Sequence, residues 1–280
     1  MSEHYTSKSG KLFSDKKWLE NHHAIKSRLR SELVHKLPIF DGDKVLDIGC
    51  GTGDWSLLVA DKVGHKGKVI GIDIDEESIE LANRKKNNHY HRSQVIFLVK
   101  KLSELEVVNK FDVIVIFNCL SYISDPSSLL IESLKHIKPG GRIIIKDSDL
   151  ASDFFWPVDR CLYNKIMSKI DCSYKAGELS YNHFFAREIP FLLKTNGFLK
   201  VNSMVQSFSF THPLDAPQKK YIKENAALIS KYSYKLGLIE ESIEWAEQFN
   251  EESCSCILES ERFLYSMSEF VFYALAPSKS

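Results

Sequence analysis

The 280-residue sequence predicts an α/β fold built on a mostly parallel sheet, and three observations carry that expectation. Strand-sized apolar runs alternate with single helix-period segments from residue 44 to residue 146. A glycine-rich turn, Gly49-Cys50-Gly51-Thr52-Gly53, joins the first of those runs to the first helix. Two further β-like runs, 199–208 and 269–275, are placed to close the sheet with a terminal hairpin. Strands separated by single helices pair in parallel through right-handed crossovers.

Residues 1–13 are polar and read as a frayed tail. From 15 to about 37, Trp18, His22, Ile25, Leu29 and Leu33 fall at three- and four-residue steps, which predicts a helix that ends at Pro38 and the Asp41-Gly42 turn. Lys44–Ile48 follows as a buried strand, and Asp54–Val63 as a helix closed by Gly64. Lys68–Asp73 is the second strand. The helix after it, about 76–86, is capped by Asp75 and carries Glu76 and Glu77 in its positive first turn. Residues 94–99 and 112–117 are the third and fourth strands. Asp125-Pro126 pairs an N-cap with proline at the first helical position, and Leu130, Leu134 and Ile137 give that helix its apolar face. Lys138-Pro139-Gly140-Gly141 stops it before a fifth strand, 142–146. The aromatic-rich stretch 150–184 reads as irregular. A helix near 187–195 then leads to strand 199–208, two helices follow within 216–250, parted near Gly237, and strand 269–275 closes the chain.

The glycine turn leaves a buried strand and enters a helix, which is where a doubly wound sheet opens its ligand crevice. Its glycines stand at 49, 51 and 53 with Asp54 next, so the dinucleotide spacing G-x-G-x-x-G is not met. An anionic Asp54 at the helix start also competes with a pyrophosphate for the same positive end. S-adenosylmethionine, which has no phosphate, meets no such conflict. Asp47 at the strand end is placed to accept from its ammonium group. In Val69-Ile70-Gly71-Ile72-Asp73-Ile74-Asp75, Asp73 at the second strand's tip is placed to accept from both ribose hydroxyls, with Ile74 over one adenine face. Asp75 already accounts for the helix cap.

Together these segments resemble the class I S-adenosylmethionine-dependent methyltransferases of small-molecule type. Phe111-Asp112-Val113-Ile114-Val115 and Ile137-Lys138-Pro139-Gly140-Gly141-Arg142 resemble further signatures of that family. The likeness is close over 40–150 and loose over 185–210 and 265–276. It implies a Rossmann-like seven-stranded sheet of order 3-2-1-4-5-7-6, last strand antiparallel, with helical lid insertions. It implies one methyltransferase domain whose core is about 38–149, 185–210 and 263–277. The helix 14–37 and the inserts 150–184 and 211–262 then form a substrate lid. The cofactor-binding set it implies is Asp47, Gly49, Cys50, Gly51, Gly53, Asp73, Ile74, Leu102 and Asn118, with S-adenosylhomocysteine as product. One departure stands out: the position where the family usually carries an adenine-binding acid holds Lys101, which leaves backbone groups, Leu102 or Glu104 to meet the ring.

Methyl transfer from a sulfonium is an in-line displacement that alignment alone can accelerate greatly, so an obvious acid–base dyad is not required. Tyr122, Asp147 and His183 are the catalytic candidates, and Trp18, His22, His23 and Asp149 are further substrate-side residues. Each also fits a plain structural role: a wall residue, a solvated loop acid, a packed histidine. The aromatic insert predicts a partly apolar, covered pocket for a small organic acceptor.

Composition excludes several alternatives. Lys+Arg and Asp+Glu both number 37, so no large phosphate-tracking surface is demanded, and nucleic acid is disfavoured as a partner. Asn118-Cys119-Leu120 is not the Asn/Asp-Pro-Pro-aromatic run of base amino methyltransferases, and the basic stretch 84–92 reads as a solvated helix end. No apolar run approaches a membrane span. The start of the chain lacks a signal-peptide core, and six scattered cysteines fit free thiols in a reducing cytoplasm. Cys254-x-Cys256 lacks further ligands at zinc spacing, so no metal is expected. Methylation of RNA or protein, and non-catalytic binding of S-adenosylmethionine, remain open beside the small-molecule reading.

Overall fold

The computed structural model describes residues 4–6, 12–14, 16–106, 108, 110–176 and 184–278, with side chains from residue 20 onward. It opens with an antiparallel hairpin, β1 (His4–Thr6) and β2 (Leu12–Ser14), within the segment whose composition predicts a tail. α1 (Lys16–Lys36) follows. The alternating core is β3 (Lys44–Ile48), α2 (Asp54–Val63), β4 (Lys68–Asp73), α3 (Glu76–Asn87), β5 (Val95–Val99), β6 (Phe111–Phe117), α4 (Pro126–His136) and β7 (Ile137–Ser148). After it come β8 (Phe154–Trp156), α5 (Arg160–Lys175), α6 (Ile189–Thr195), β9 (Leu199–Thr211), α7 (Ala216–Lys235), α8 (Ile239–Glu247) and β10 (Leu264–Leu275).

The large sheet runs β5-β4-β3-β6-β7-β10, with β9 on the far side of β10. β3 to β7 are mutually parallel, and β10 is antiparallel to both β7 and β9. Seven strands therefore stand in the expected Rossmann-like order. An eighth, β8, pairs with Leu264–Ser266 of β10, continuing the edge that β7 occupies along 269–275.

The helix starts follow local chemistry. Asp75 accepts from Ser78 N at α3, and Asp125 accepts from Ser128 N at α4, where Pro126 takes the first turn. Asp215 and Gln218 form a reciprocal capping box at α7.

Three readings of the sequence are corrected. Ile137 is not the last face residue of α4 but the first residue of β7, because Pro139-Gly140-Gly141 is absorbed as a register shift against Phe111 and Val113 rather than ending an element. The stretch 150–184 is not irregular throughout, since it holds β8 and α5. α5 is capped by Asp159 and buries Leu162, Tyr163, Ile166, Met167 and Ile170. The closing strands are also longer than expected, reaching Thr211 and starting at Leu264, because each pairs with the other beyond the end of β7.

Two apolar clusters flank the sheet. Leu33, Val59, Val63 and Val113 lie with α1 and α2 on one face, and Leu130, Ile189, Leu193 and Ile143 with α4 and α6 on the other. A third cluster joins α5, α7, α8 and β8 around Phe155, Trp245 and Tyr265. It sits against the first residues of β10, which lie past Ser148 at the carboxyl ends of the parallel strands. The glycine turn opens at that same edge.

Candidate active site

The carboxyl ends of β3 and β6 are neighbours in the sheet, yet their connections leave in opposite directions. This is the switch point where an open α/β sheet forms its crevice. The turn 49–53 lies there. Its first two amides, Gly49 N and Cys50 N, both donate to Ile72 O on β4, at 2.8 and 3.1 Å. Gly49 has φ +72°, and a Cβ on it would lie 2.1 Å from Cys119 Sγ, so β3 and β6 approach only because that atom is missing. Gly51, with φ +51°, differs: a Cβ there would meet nothing within 4 Å, which leaves its backbone open to a ligand.

Asp73 fastens the turn. Its Oδ2 accepts from Gly51 N at 2.8 Å and its Oδ1 from Asp75 N at 2.9 Å, while burial pushes its carboxyl up from the usual range. Each oxygen keeps a lone pair for another donor. Asp47 is 1% exposed and accepts from Ser56 Oγ at 2.5 Å, and burial pushes it up to about 7. Asp54 is held by Lys85, whose Nζ is 2.9 and 2.8 Å from its two oxygens, so the acid at the start of α2 is neutralised by α3. Cys50 is buried and Cys119 half-buried beside the turn, and desolvation drives both thiols up, away from thiolate chemistry.

The other named positions separate into groups. Ile74 is 39% exposed at the mouth. Leu102 is buried among β-sheet residues, Lys101 is exposed, and Glu104 accepts from Lys101 N at 2.9 Å. Asn118 takes φ +51°, and its side-chain Oδ1 accepts from Lys146 Nζ at 2.8 Å. Asp147 is 1% exposed and accepts from Ser148 N at 2.9 Å and from Ser121 N and Oγ at 3.3 and 3.4 Å. Burial raises it to about 6. Tyr122 is half-buried in the turn after Ser121. Asp149 is clasped by Arg187, Nε at 2.6 Å and Nη2 at 3.0 Å. His22 is buried 3.3 Å from Glu224, and burial pulls its imidazole down to about 4. His183 lies outside the described residues, as does the side chain of Trp18.

The sequence reading missed a set of buried charges at this edge. Lys26 and Arg30 lie on the same face of α1 as His22, one and two turns further on, and face inward, toward Lys146 of β7 and Glu269 of β10. The four-residue spacing 22, 26, 30 was the available signal, but charged residues on a helix are ordinarily placed in solvent. Among the described residues, no group of three or more His, Cys, Asp or Glu is arranged to hold a metal ion, and no helix is long and apolar enough to cross a membrane.

A family model described as a methyltransferase domain matches residues 39–247, three quarters of the chain. The chain belongs to this methyltransferase family. Its sheet order and glycine turn are those of the class I S-adenosylmethionine-dependent members. A demethylmenaquinone methyltransferase from Oceanobacillus iheyensis is 32% identical over 116 residues, 41% of this chain and 48% of that protein. The chain thus spans about half the length of the relatives it matches. A methyltransferase structure from Aquifex aeolicus, titled as dependent on S-adenosylmethionine, superposes with a TM-score of 0.53 at 16% identity, covering 94% of this chain and 99% of that one. The YcgJ protein of Bacillus subtilis gives 0.54 at 14% identity, covering 90% and 100%. At such identities these structures speak for the shared fold alone.

Proposed function

We propose that this methyltransferase-family protein transfers the methyl group of S-adenosylmethionine to a small organic acceptor. The observation that carries the reading is the open backbone at Gly51 beside the doubly tethered carboxylate of Asp73, at the switch point between β3 and β6. When bound, the cofactor supplies an electrophilic methyl carbon on a sulfonium, which a lone pair of the acceptor displaces in line. The chain's own residues bind and orient. Asp73 accepts from the ribose hydroxyls with the lone pairs its backbone contacts leave free. Ile74 covers the adenine, and the backbone around Leu102 stands in for the acid that Lys101 replaces.

Asp47, buried and pushed up to about 7, gives up its proton when an ammonium group is set against it. Its acidity therefore reports on the cofactor. Asp147 and Tyr122 border the acceptor side, where Asp147, raised to about 6, is poised to take a proton near neutrality. The layer of α5, α7 and α8 over the same edge acts as a lid that excludes water.

Calorimetry with S-adenosylhomocysteine tests the cofactor half. Binding to the wild-type protein is expected, with about 10- to 100-fold loss in Asp73→Ala, where two backbone donors and the ribose lose a charged acceptor. Binding of a nicotinamide dinucleotide in place of S-adenosylhomocysteine would refute it. Incubating the protein with methyl-labelled S-adenosylmethionine and a cell extract tests the acceptor half. Label is expected in the low-mass fraction, and label in RNA or protein would overturn the small-molecule assignment.

A further inference from the structure

At the carboxyl ends of β6 and β7, three cations are buried together: Lys26 and Arg30 from α1 and Lys146 from β7, at 5%, 7% and 3% exposure. Glu269 is their ionic partner. Its Oε1 lies 3.0 Å from Lys26 Nζ and its Oε2 lies 3.2 Å from Lys146 Nζ. Burial opposes its ionisation, yet Lys146, Lys26 and Arg30 together hold Glu269 well below the usual carboxylate range. The carboxylate is therefore ionised, and it pairs with the two lysines but not with Arg30.

No other nearby acid makes an ion pair with the three among the described residues, although Asp147 acts through space on Lys146 and Asp153 on Lys26. Asp147 spends its hydrogen bonds on Ser121 and Ser148, and Asp153 accepts from Tyr265 OH at 3.1 Å. Asp54 is taken by Lys85. Arg30 is the cation of the three that makes no ion pair among the described residues. Its guanidinium sits 4.9 Å from the Trp55 ring centroid and Nη1 is 2.9 Å from His23 Nδ1, but Nε has no hydrogen-bond partner among the described residues. A buried guanidinium with an unused donor and no carboxylate against it is costly. Burial also pulls Lys26 down to about 8, as expected where cations crowd.

The cluster adjoins the crevice. Lys146 holds Asn118, the residue before Cys119, whose thiol packs against Gly49. Trp55, beneath Arg30, is the second residue of α2, just after the glycine turn. We infer that Arg30, Lys26 and Lys146 form the seat for a carboxylate on the methyl acceptor, so that this enzyme methylates a small organic acid. The proposal rests on the methyl-transfer reading and narrows it. A planar guanidinium fork matches a carboxylate, and the two ammonium groups supply the remaining positive field. A neutral, lipid-like acceptor leaves Arg30 without an anionic partner.

The test uses the full chain saturated with S-adenosylhomocysteine at low ionic strength, titrated calorimetrically with benzoate and with benzamide, which share a ring and differ in charge. Benzoate is expected to bind at least about 10-fold tighter than benzamide, with Arg30→Leu and Lys26→Met each removing most of that preference and Arg30→Lys keeping part of it. No heat from benzoate, or equal binding of the two in the wild-type protein, overturns the proposal whether or not any variant folds. Titration with S-adenosylhomocysteine and with methylthioadenosine, which lacks the amino-acid carboxylate, separates the two sources of a carboxylate. If Arg30→Leu weakens the former 10-fold or more and spares the latter, the cations hold the cofactor and the acceptor assignment falls. Failure of S-adenosylhomocysteine to bind the wild-type protein refutes the cofactor reading itself, and this proposal with it.

Discussion

Replacing Gly49 by Ala tests whether the crevice depends on the near-contact of β3 and β6. Two costs are separable. An L-residue at φ +72° pays for the left-handed conformation, about 1–2 kcal/mol. The new Cβ would lie 2.1 Å from Cys119 Sγ and 2.7 Å from Cys119 Cβ. Turning the thiol away relieves the first clash and not the second, so the turn itself must shift, which adds about 1–3 kcal/mol of overpacking. The expected loss of stability is therefore about 2–5 kcal/mol, read from urea unfolding followed by tryptophan fluorescence. In a Cys119→Gly background both obstructing atoms are gone, and Gly49→Ala should cost only the conformational part. The double-mutant cycle then shows a coupling of about 1–3 kcal/mol, the double variant being less damaged than the sum of the singles. A Gly49→Ala loss below about 1 kcal/mol, or additivity within about 0.5 kcal/mol, would refute the reasoning.

Two further outcomes concern the helical layer. Asp153 is 6% exposed and burial pushes it up to about 7, above the ordinary value near 4, so its contribution is fully present below about pH 4 and is lost as pH rises through 7, on the order of 4 kcal/mol across the window. Asp153→Asn keeps an acceptor for Tyr265 and carries no charge; its stability should vary less between pH 5 and 8 and exceed the wild type at pH 8, and an unchanged pH slope in urea melts argues against it. Trp245 is fully buried, donates to Ala226 O at 2.9 Å and meets Phe155 edge-on at 5.4 Å, so Trp245→Ala should cost about 3–5 kcal/mol, and a loss under about 1 kcal/mol in the same assay would show that this cluster does not hold the layer together.

The sheet was legible because its signals are local. β3 and β4 take the bounds that their apolar runs and flanking turns imply, and the glycine spacing at 49, 51 and 53 separates this crevice from a dinucleotide site without any tertiary information. α5 was legible in principle: Asp159 is a cap, and Leu162, Ile166 and Ile170 fall at four-residue steps. The surrounding aromatics drew the reading toward an irregular insert.

The buried charges are a different matter. Lys26 finds its partner Glu269 243 residues away, and Lys146 follows the run Ile143-Ile144-Ile145 within β7, where a lysine reads as the step into solvent. Nothing local tells α1 that β10 will bring a carboxylate to it. A sequence reports which residues a helix or strand can bury by period, whereas a charge is buried only when a distant element neutralises it. For that reason the half of the crevice built by one continuous turn was readable in advance, and the half built by α1, β7 and β10 together was not.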